Sequence, residues 1–318
     1  LTLTADQIAA YEAEGRSPHW RFKLDHDAPI EWTDMVRGTQ HFDPKLLSDP
    51  VIRRADGSWL YMLPSVIDDV DMAITHVVRG EDHVSNTATQ LQMFTALGAE
   101  PPQFAHEALL VGSEGKLSKR LGSLGISTFR EQGLEAIALI ALLARIGTSD
   151  PVIPVTDVTP LVEAFDFAHF GRAPARFDEA ELTLLNQKIV HMLGFDAVKD
   201  RLPAGVTPEA WDALRPNLEI VADITKWWQI VTGPLRLAEQ QPEQADYLST
   251  AAAALSDLPF DANIWRTLTE RLKAETGRKG KDLFLPLRRA LTGLDHGPDM
   301  GALLPLIGKD EAVKRLSA

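Results

Sequence analysis

The feature that most constrains the fold is a change of hydrophobic period near residue 127. Before it, short β-branched and aromatic runs alternate with helical stretches. Residues 74–78 (ITHVV) read as a strand. Thr87 to Gln90 then has the spacing of a capping box, opening a helix whose Leu91, Phe94 and Leu97 share a face and which Gly98 closes. Residues 108–111 (ALLV) read as the next strand. Strand, helix and strand with short joins predict a βαβ unit with parallel strands. After residue 127 only helical periodicity remains, over 134–146, 178–191, 222–230, 264–273 and 286–294. The expected fold class is therefore α/β, followed by all-α domains.

Upstream, residues 19–37 alternate as a hairpin would, with Trp20, Phe22 and Leu24 facing Ile30 and Trp32 across the turn HDAP. Residues 43–51 form a proline-bounded connector. A chain of 318 residues suggests two or three domains. The longest apolar run, Ala136–Ala144, is far short of the ~20 residues a membrane span needs. With no signal peptide visible either, a cytoplasmic protein without membrane contact is expected. There is no cysteine, which excludes disulfides, thiol catalysis and Cys-ligated zinc. The net charge of −13 rules out a general electrostatic blanket for nucleic acid, so such contacts must sit on local patches.

One local patch stands out. EGKLSKRLG, residues 114–122, places three cations and two glycines directly after an apolar run in an acidic chain. In open parallel sheets ligands bind beyond the carboxyl ends of the strands. Two polar segments fall there: Arg79–His83 after the first strand, and Lys116–Arg120 after the second. An arginine can meet a carboxylate in a paired planar contact. Lysines on a flexible loop can neutralise charge that grows during displacement at phosphorus. Plain alternatives stay open: a solvated surface loop for 116–120, a structural ion pair between Arg79 and Glu81 or Asp82, and turn-capping acids at Asp68, Asp69 and Asp71 in place of a metal site.

These residues carry a resemblance. KLSKR at 116–120 is similar to the second signature motif of class I aminoacyl-tRNA synthetases. RGEDH at 79–83 with Asn86, Thr87 and Gln90, FDEAELTLLN at 177–186, GRKGKDLFLPLRRALTG at 277–293 and HGP at 296–298 resemble the glutamyl-tRNA synthetases over essentially the whole chain. The resemblance implies activation of glutamate by ATP to glutamyl-adenylate, followed by transfer to the 3′ end of its tRNA. It implies phosphate stabilisation by Lys116 and Lys119, with Ser118 and Arg120 shaping the loop. Arg79 would hold a carboxylate of glutamate, with Tyr61 and Ser65 lining the pocket and Gly80, Asp82 and His83 completing its wall. Leu109 and Leu110 would present backbone groups to adenine. Mg²⁺ would arrive with ATP, and no zinc is expected.

The resemblance also assigns residues 1–54 to the end of an acceptor-stem-binding insertion and 55–120 to the second half of an α/β Rossmann-like, nucleotide-binding catalytic domain that carries the KLSKR loop. Residues 121–195 become a helical stem-contact region and 196–318 an anticodon-binding domain. In 271–289 seven basic residues face two acids; Arg278, Lys279, Lys281, Arg288 and Arg289 are the tRNA-contact candidates there. No His-Ile-Gly-His motif occurs, and the chain opens on Leu1 within what reads as a domain, so a monomeric enzyme lacking its N-terminal part is expected. Trp59 and Leu60 stand where the family often has Pro-Thr. The alternatives are a non-catalytic tRNA-binding module and a truncated glutamyl-queuosine paralogue. Helical sequence beyond residue 195 opposes the paralogue.

Overall fold

The computed structural model describes residues 3–112, 115–116, 125–234 and 242–318, with 115–116 and 242–243 described by backbone alone. The chain divides into two compact units, one of residues 1–118, 144–152 and 161–178, the other of residues 119–143, 153–160 and 179–318.

The first unit opens with helix α1, Ala5–Ala13, whose capping box joins Thr4 and Gln7. Strand β1, Trp20–Arg21, does not pair with the residues just after it. It runs antiparallel to β4, Val51–Arg53, because Phe22 N–H donates to Pro50 O and Leu24 N–H to Asp49. The hairpin lies one segment later than the alternation suggests. It is formed by β2, Ile30–Asp34, and β3, Gly38–Phe42, in register from Ile30↔Phe42 to Asp34↔Gly38. Asp34 makes this turn by accepting the N–H groups of Val36 and Arg37, and Gly38 adopts φ +73° to close it.

Helix α2, Met62–Asp71, carries Pro64 in its first turn, where a missing N–H costs nothing. Strand β5, His76–Gly80, follows, and helix α3 spans Val84–Ala96. The helix starts three residues before the expected capping box, so Thr87 is an interior, fully buried position. Gly98 does end the helix, at φ +71°. The parallel partner of β5 is β6, Gln103–Glu107, in register from His76↔Gln103 to Gly80↔Glu107. The parallel pairing is as expected, but the strand is QFAHE and not ALLV. A histidine hides it: His106 breaks the apolar run in sequence yet is fully buried in the fold. Residues 110–112 form a separate strand, β7, antiparallel to β8, Gly115–Lys116, and parallel to β9, Ala175–Arg176. Val66, Met93, Phe94 and Phe104 make the core between α2, α3 and β6, with Phe22, Trp32, Ile52 and Val77 packed around it.

The remaining elements are helical: α4 Ile126–Glu131, α5 Ala136–Leu143, α6 Thr159–Glu163, α7 Glu179–Val190, α8 Phe195–Val198, α9 Pro208–Leu214, α10 Ile224–Thr232, α11 Pro242–Asp257, α12 Ile264–Thr276, α13 Lys281–Thr292, α14 Met300–Ile307 and α15 Lys309–Ser317. In the second unit the buried Asn186 on α7 accepts the Glu135 N–H at 2.7 Å and donates to Glu219 O at 2.8 Å, joining three segments. Helix α13 begins at Lys281, five residues before the proline that the periodicity takes as its start. Pro286 frees the carbonyl of Asp282, one turn back, and Arg278 reaches that carbonyl at 3.4 Å. Trp227 is buried. Trp228 is half-buried and donates its indole N–H to Ala204 O at 3.1 Å. The buried Arg315 on α15 donates to the carbonyls of Ile230, Val231 and Leu291 and pairs with Glu311. Among the described residues no helix is long and apolar enough to cross a membrane.

Candidate active site around Arg79

Arg79 stands at the carboxyl end of β5, where the parallel pair opens. Its guanidinium is held from four directions. Nη1 donates to the Tyr61 hydroxyl at 3.0 Å, and Nη2 to Thr87 at 2.5 Å and to Gln90 Oε1 at 2.7 Å. Nε faces His106 Nε2 at 3.3 Å. The Phe104 ring lies beneath it, 5.6 Å from centroid to Cζ. A guanidinium has five N–H donors. With four directed at these partners, one N–H on Nη1 is left to meet a ligand, next to the proton of the exposed Tyr61 hydroxyl.

The other pocket candidates divide around this centre. The Tyr61 ring lies 5.9 Å from that of His83, whose Nδ1 is 3.0 Å from Asn86. Ser65 reaches Arg79 only indirectly: it accepts the amide of Gln90 at 2.8 Å and donates to Met62 O. Asp82 is exposed. A Cβ on Gly80 would come within 2.7 Å of Asp82 Oδ1 and 3.0 Å of Leu109 Cδ2, so those two side-chain ends pack directly against the strand end. The carbonyl of Leu109 accepts from Ala175 N–H, and Leu110 lies in β7 opposite Ala175. Leu109 therefore spends its carbonyl on β9.

For Lys116 only the backbone is described, paired with Val111. Ser118, Lys119 and Arg120 lie outside the described residues. Asp68, Asp69 and Asp71 belong to the last turns of α2. Burial pushes the Asp69 carboxyl up, and the Arg79 charge pulls it back down. Among the described residues no group of three or more His, Asp or Glu gathers where a metal could sit.

Four further neighbours of Arg79 have no site role in the sequence reading. Thr87 and Gln90 were legible as a helix start and prove to be clamps on Arg79. Asp34 and His106 are each fully buried, with Asp34 Oδ2 2.5 Å from His106 Nδ1. Burial pushes His106 below the usual histidine range, and the Arg79 and Arg37 charges push the same way against the Asp34 carboxylate. Burial alone would raise Asp34, but hydrogen bonds from the His106 side chain and from three backbone N–H groups hold it below the usual carboxylate range. Arg37 in turn pairs with Glu81 at 2.5 Å.

The basic stretch of the second unit is partly committed to its own fold. Arg278 stacks on Tyr247 at 4.0 Å and bonds Gln244. Arg288 caps Pro298 O, and Arg289 takes both oxygens of Asp295. Lys279 and Lys281 are exposed. Nearby, Trp227, Lys226, Asn217, Leu294, Asp295, His296 and Gly297 line a hollow of about 390 Å³.

Comparison with known proteins agrees on one family. The profile of tRNA synthetases class I (E and Q), catalytic domain, matches residues 1–183, and an anticodon binding domain matches residues 200–318. The glutamate–tRNA ligase 1 of Rhizorhabdus wittichii is 64% identical over 318 residues, covering 100% of this chain and 72% of that protein. The glutamate–tRNA ligase 2 of Sphingopyxis alaskensis is 65% identical over 305 residues, covering 96% and 70%. The crystal structure of a glutamate tRNA ligase from Elizabethkingia meningosepticum, in complex with its amino acid, superposes with a TM-score of 0.81 at 26% identity, covering 99% of this chain and 70% of that one.

Proposed function

The chain belongs to the class I tRNA synthetases of the glutamate and glutamine branch, and from that premise we propose that it works as a glutamate–tRNA ligase. The observation that carries this is the 64% identity to a glutamate–tRNA ligase across every residue of the chain. The site supports it, because a guanidinium with one open N–H beside a tyrosine hydroxyl suits a carboxylate ligand. ATP and glutamate give glutamyl-adenylate and pyrophosphate: a glutamate carboxylate oxygen bonds to the α-phosphorus as the bond to pyrophosphate breaks. The glutamyl group then passes to the terminal ribose of tRNA, releasing AMP.

In this reading Arg79 and Tyr61 hold a carboxylate of glutamate, while Ser65 acts through Gln90. Gly80, Asp82 and His83 form the adjoining wall. Lys116 and Lys119 neutralise the triphosphate, Ser118 and Arg120 shape their loop, and Leu109 and Leu110 border the adenine. Mg²⁺ would arrive with ATP, since such ions are typically held by substrate phosphates together with one or two carboxylates. Residues 1–54 meet the acceptor end, 55–120 carry catalysis, 121–195 touch the stem and 196–318 read the anticodon, with the enzyme working as a monomer. The exposed Lys279 and Lys281 are the foremost phosphate contacts, ahead of the internally engaged Arg278, Arg288 and Arg289. The deciding experiment measures charging of glutamate tRNA by the complete enzyme with radiolabelled glutamate and, separately, glutamine. Glutamate should be attached, and Lys119→Ala should collapse the rate while the fold persists. Preference for glutamine, or near-normal charging by the variant, would overturn the respective assignment.

A further inference from the structure

We infer that Asp34 and His106 are positioning residues that aim the Arg79 guanidinium at glutamate through a fixed histidine tautomer. The inference rests on the assignment of Arg79 to the substrate carboxylate. Asp34 Oδ1 is already engaged, accepting the backbone N–H groups of Val36 at 3.1 Å, Arg37 at 2.9 Å and His106 at 3.1 Å. Its Oδ2 is therefore the atom that faces His106 Nδ1. A carboxylate can only accept there, so Nδ1 carries the proton and Nε2 presents a lone pair. That lone pair faces two donors: the Thr87 hydroxyl at 2.9 Å and the Arg79 Nε–H at 3.3 Å. Thr87 closes the ring by accepting from Arg79 Nη2.

A buried Asp–His pair could simply fasten the β2–β3 turn to β6. Two observations point further. His106 and Asp34 have no exposed side-chain surface, so the tautomer is shielded from exchange with solvent partners. And Arg79 is the group that needs an acceptor at that place: a protonated Nε2 would set donor against donor. Thr87 could escape the conflict by turning its hydroxyl towards His83 O, 3.4 Å away. Arg79 has no such freedom, because Nε–H is fixed in the guanidinium plane. Rotating that plane would also pull Nη1 from Tyr61 and misdirect the one N–H left for substrate.

The test is Asp34→Asn in the complete enzyme. The three backbone N–H groups require an oxygen at the Oδ1 place, which leaves the new NH₂ facing Nδ1 and drives the proton to Nε2. The expected result is a glutamate KM raised roughly 10- to 100-fold, the range for a misdirected charged hydrogen bond. The KM for ATP should stay within about twofold and the melting temperature near that of the parent. ¹⁵N-histidine NMR should show His106 protonated on Nδ1 in the parent and on Nε2 in the variant. His106→Asn, which keeps a donor for Asp34 but offers Arg79 nothing, should raise the glutamate KM alike and stands in if Asp34→Asn fails to fold. A switched tautomer with an unmoved glutamate KM, a parent protonated on Nε2, or equal rises in both KM values would overturn the inference. Arg79→Lys separates it from its premise. If that variant leaves the glutamate KM intact, the assignment of Arg79 falls. If it raises the KM while the Asp34 and His106 variants do not, only the positioning role falls.

Discussion

Replacing Gln90 by glutamate is the sharpest probe of the charge that Arg79 contributes. The change is nearly isosteric and buried, since Gln90 is only 2% exposed. It sets a carboxylate oxygen where the amide oxygen now accepts from Arg79 Nη2 at 2.7 Å. Ser65, which accepts from the Gln90 amide, can turn its hydroxyl from Met62 O to donate to the new carboxylate instead. The fold should tolerate the substitution, and Arg79 would hold the new carboxylate ionised. A substrate carboxylate on the open Nη1–H would then lie roughly 6–7 Å from a like charge. At an effective dielectric near 20 the repulsion is about 2.5 kcal/mol, or roughly 70-fold in affinity. Steady-state charging should show the glutamate KM rising by that order, with the KM for ATP little changed. Glutamine, neutral in its side chain, should lose less as a competitor. A folded variant with a glutamate KM within about threefold of the parent would mean that Arg79 does not carry the charge that selects the substrate.

Two further outcomes concern the helical unit. Gly297 sits at φ +149°, and a Cβ there would come within 2.5 Å of the buried Trp227 ring, so Gly297→Ala should cost about 2–4 kcal/mol in overpacking and backbone strain. Thermal melting reads this, and a loss under about 1 kcal/mol would refute the packing. Burial pushes the Tyr247 hydroxyl up to about 12, although the Arg278 charge opposes the shift. The unfolded chain ionises near 10, so the folded state holds the extra proton between those values, and stability should fall as pH rises above 10, by about 2 kcal/mol near pH 12. Tyr247→Phe should remove that slope, and a variant that still loses stability over the same interval would assign it elsewhere.

The sequence exposes the helical half well because long 3.6-residue repeats survive any local detail. It exposes Arg79 because an arginine at a strand end is rare enough to notice beside a lysine loop. What stays hidden is the apparatus behind that arginine. Asp34 lies 72 positions from His106, and no period links a turn aspartate to a strand histidine. The polar character of His106 makes its strand look weaker than ALLV, since a one-dimensional pattern counts a satisfied buried histidine as a break. Thr87 and Gln90 carry the spacing of a helix cap because that spacing also places two side chains on one helix face, here turned towards Arg79. Arg278 is the counterpart in the helical unit. It reads as a phosphate contact, yet it serves a carbonyl released by a proline.

Arg315 gathers carbonyls from two other helices onto one side chain. No lysine could serve all three from a single ammonium with the same planar fork. Departure of α15 would strand those oxygens without partners, so fraying from that end is not a cheap motion. Amide protons in α10, α13 and α15 should therefore trade with deuterium together, through one shared opening, instead of leaking out helix by helix.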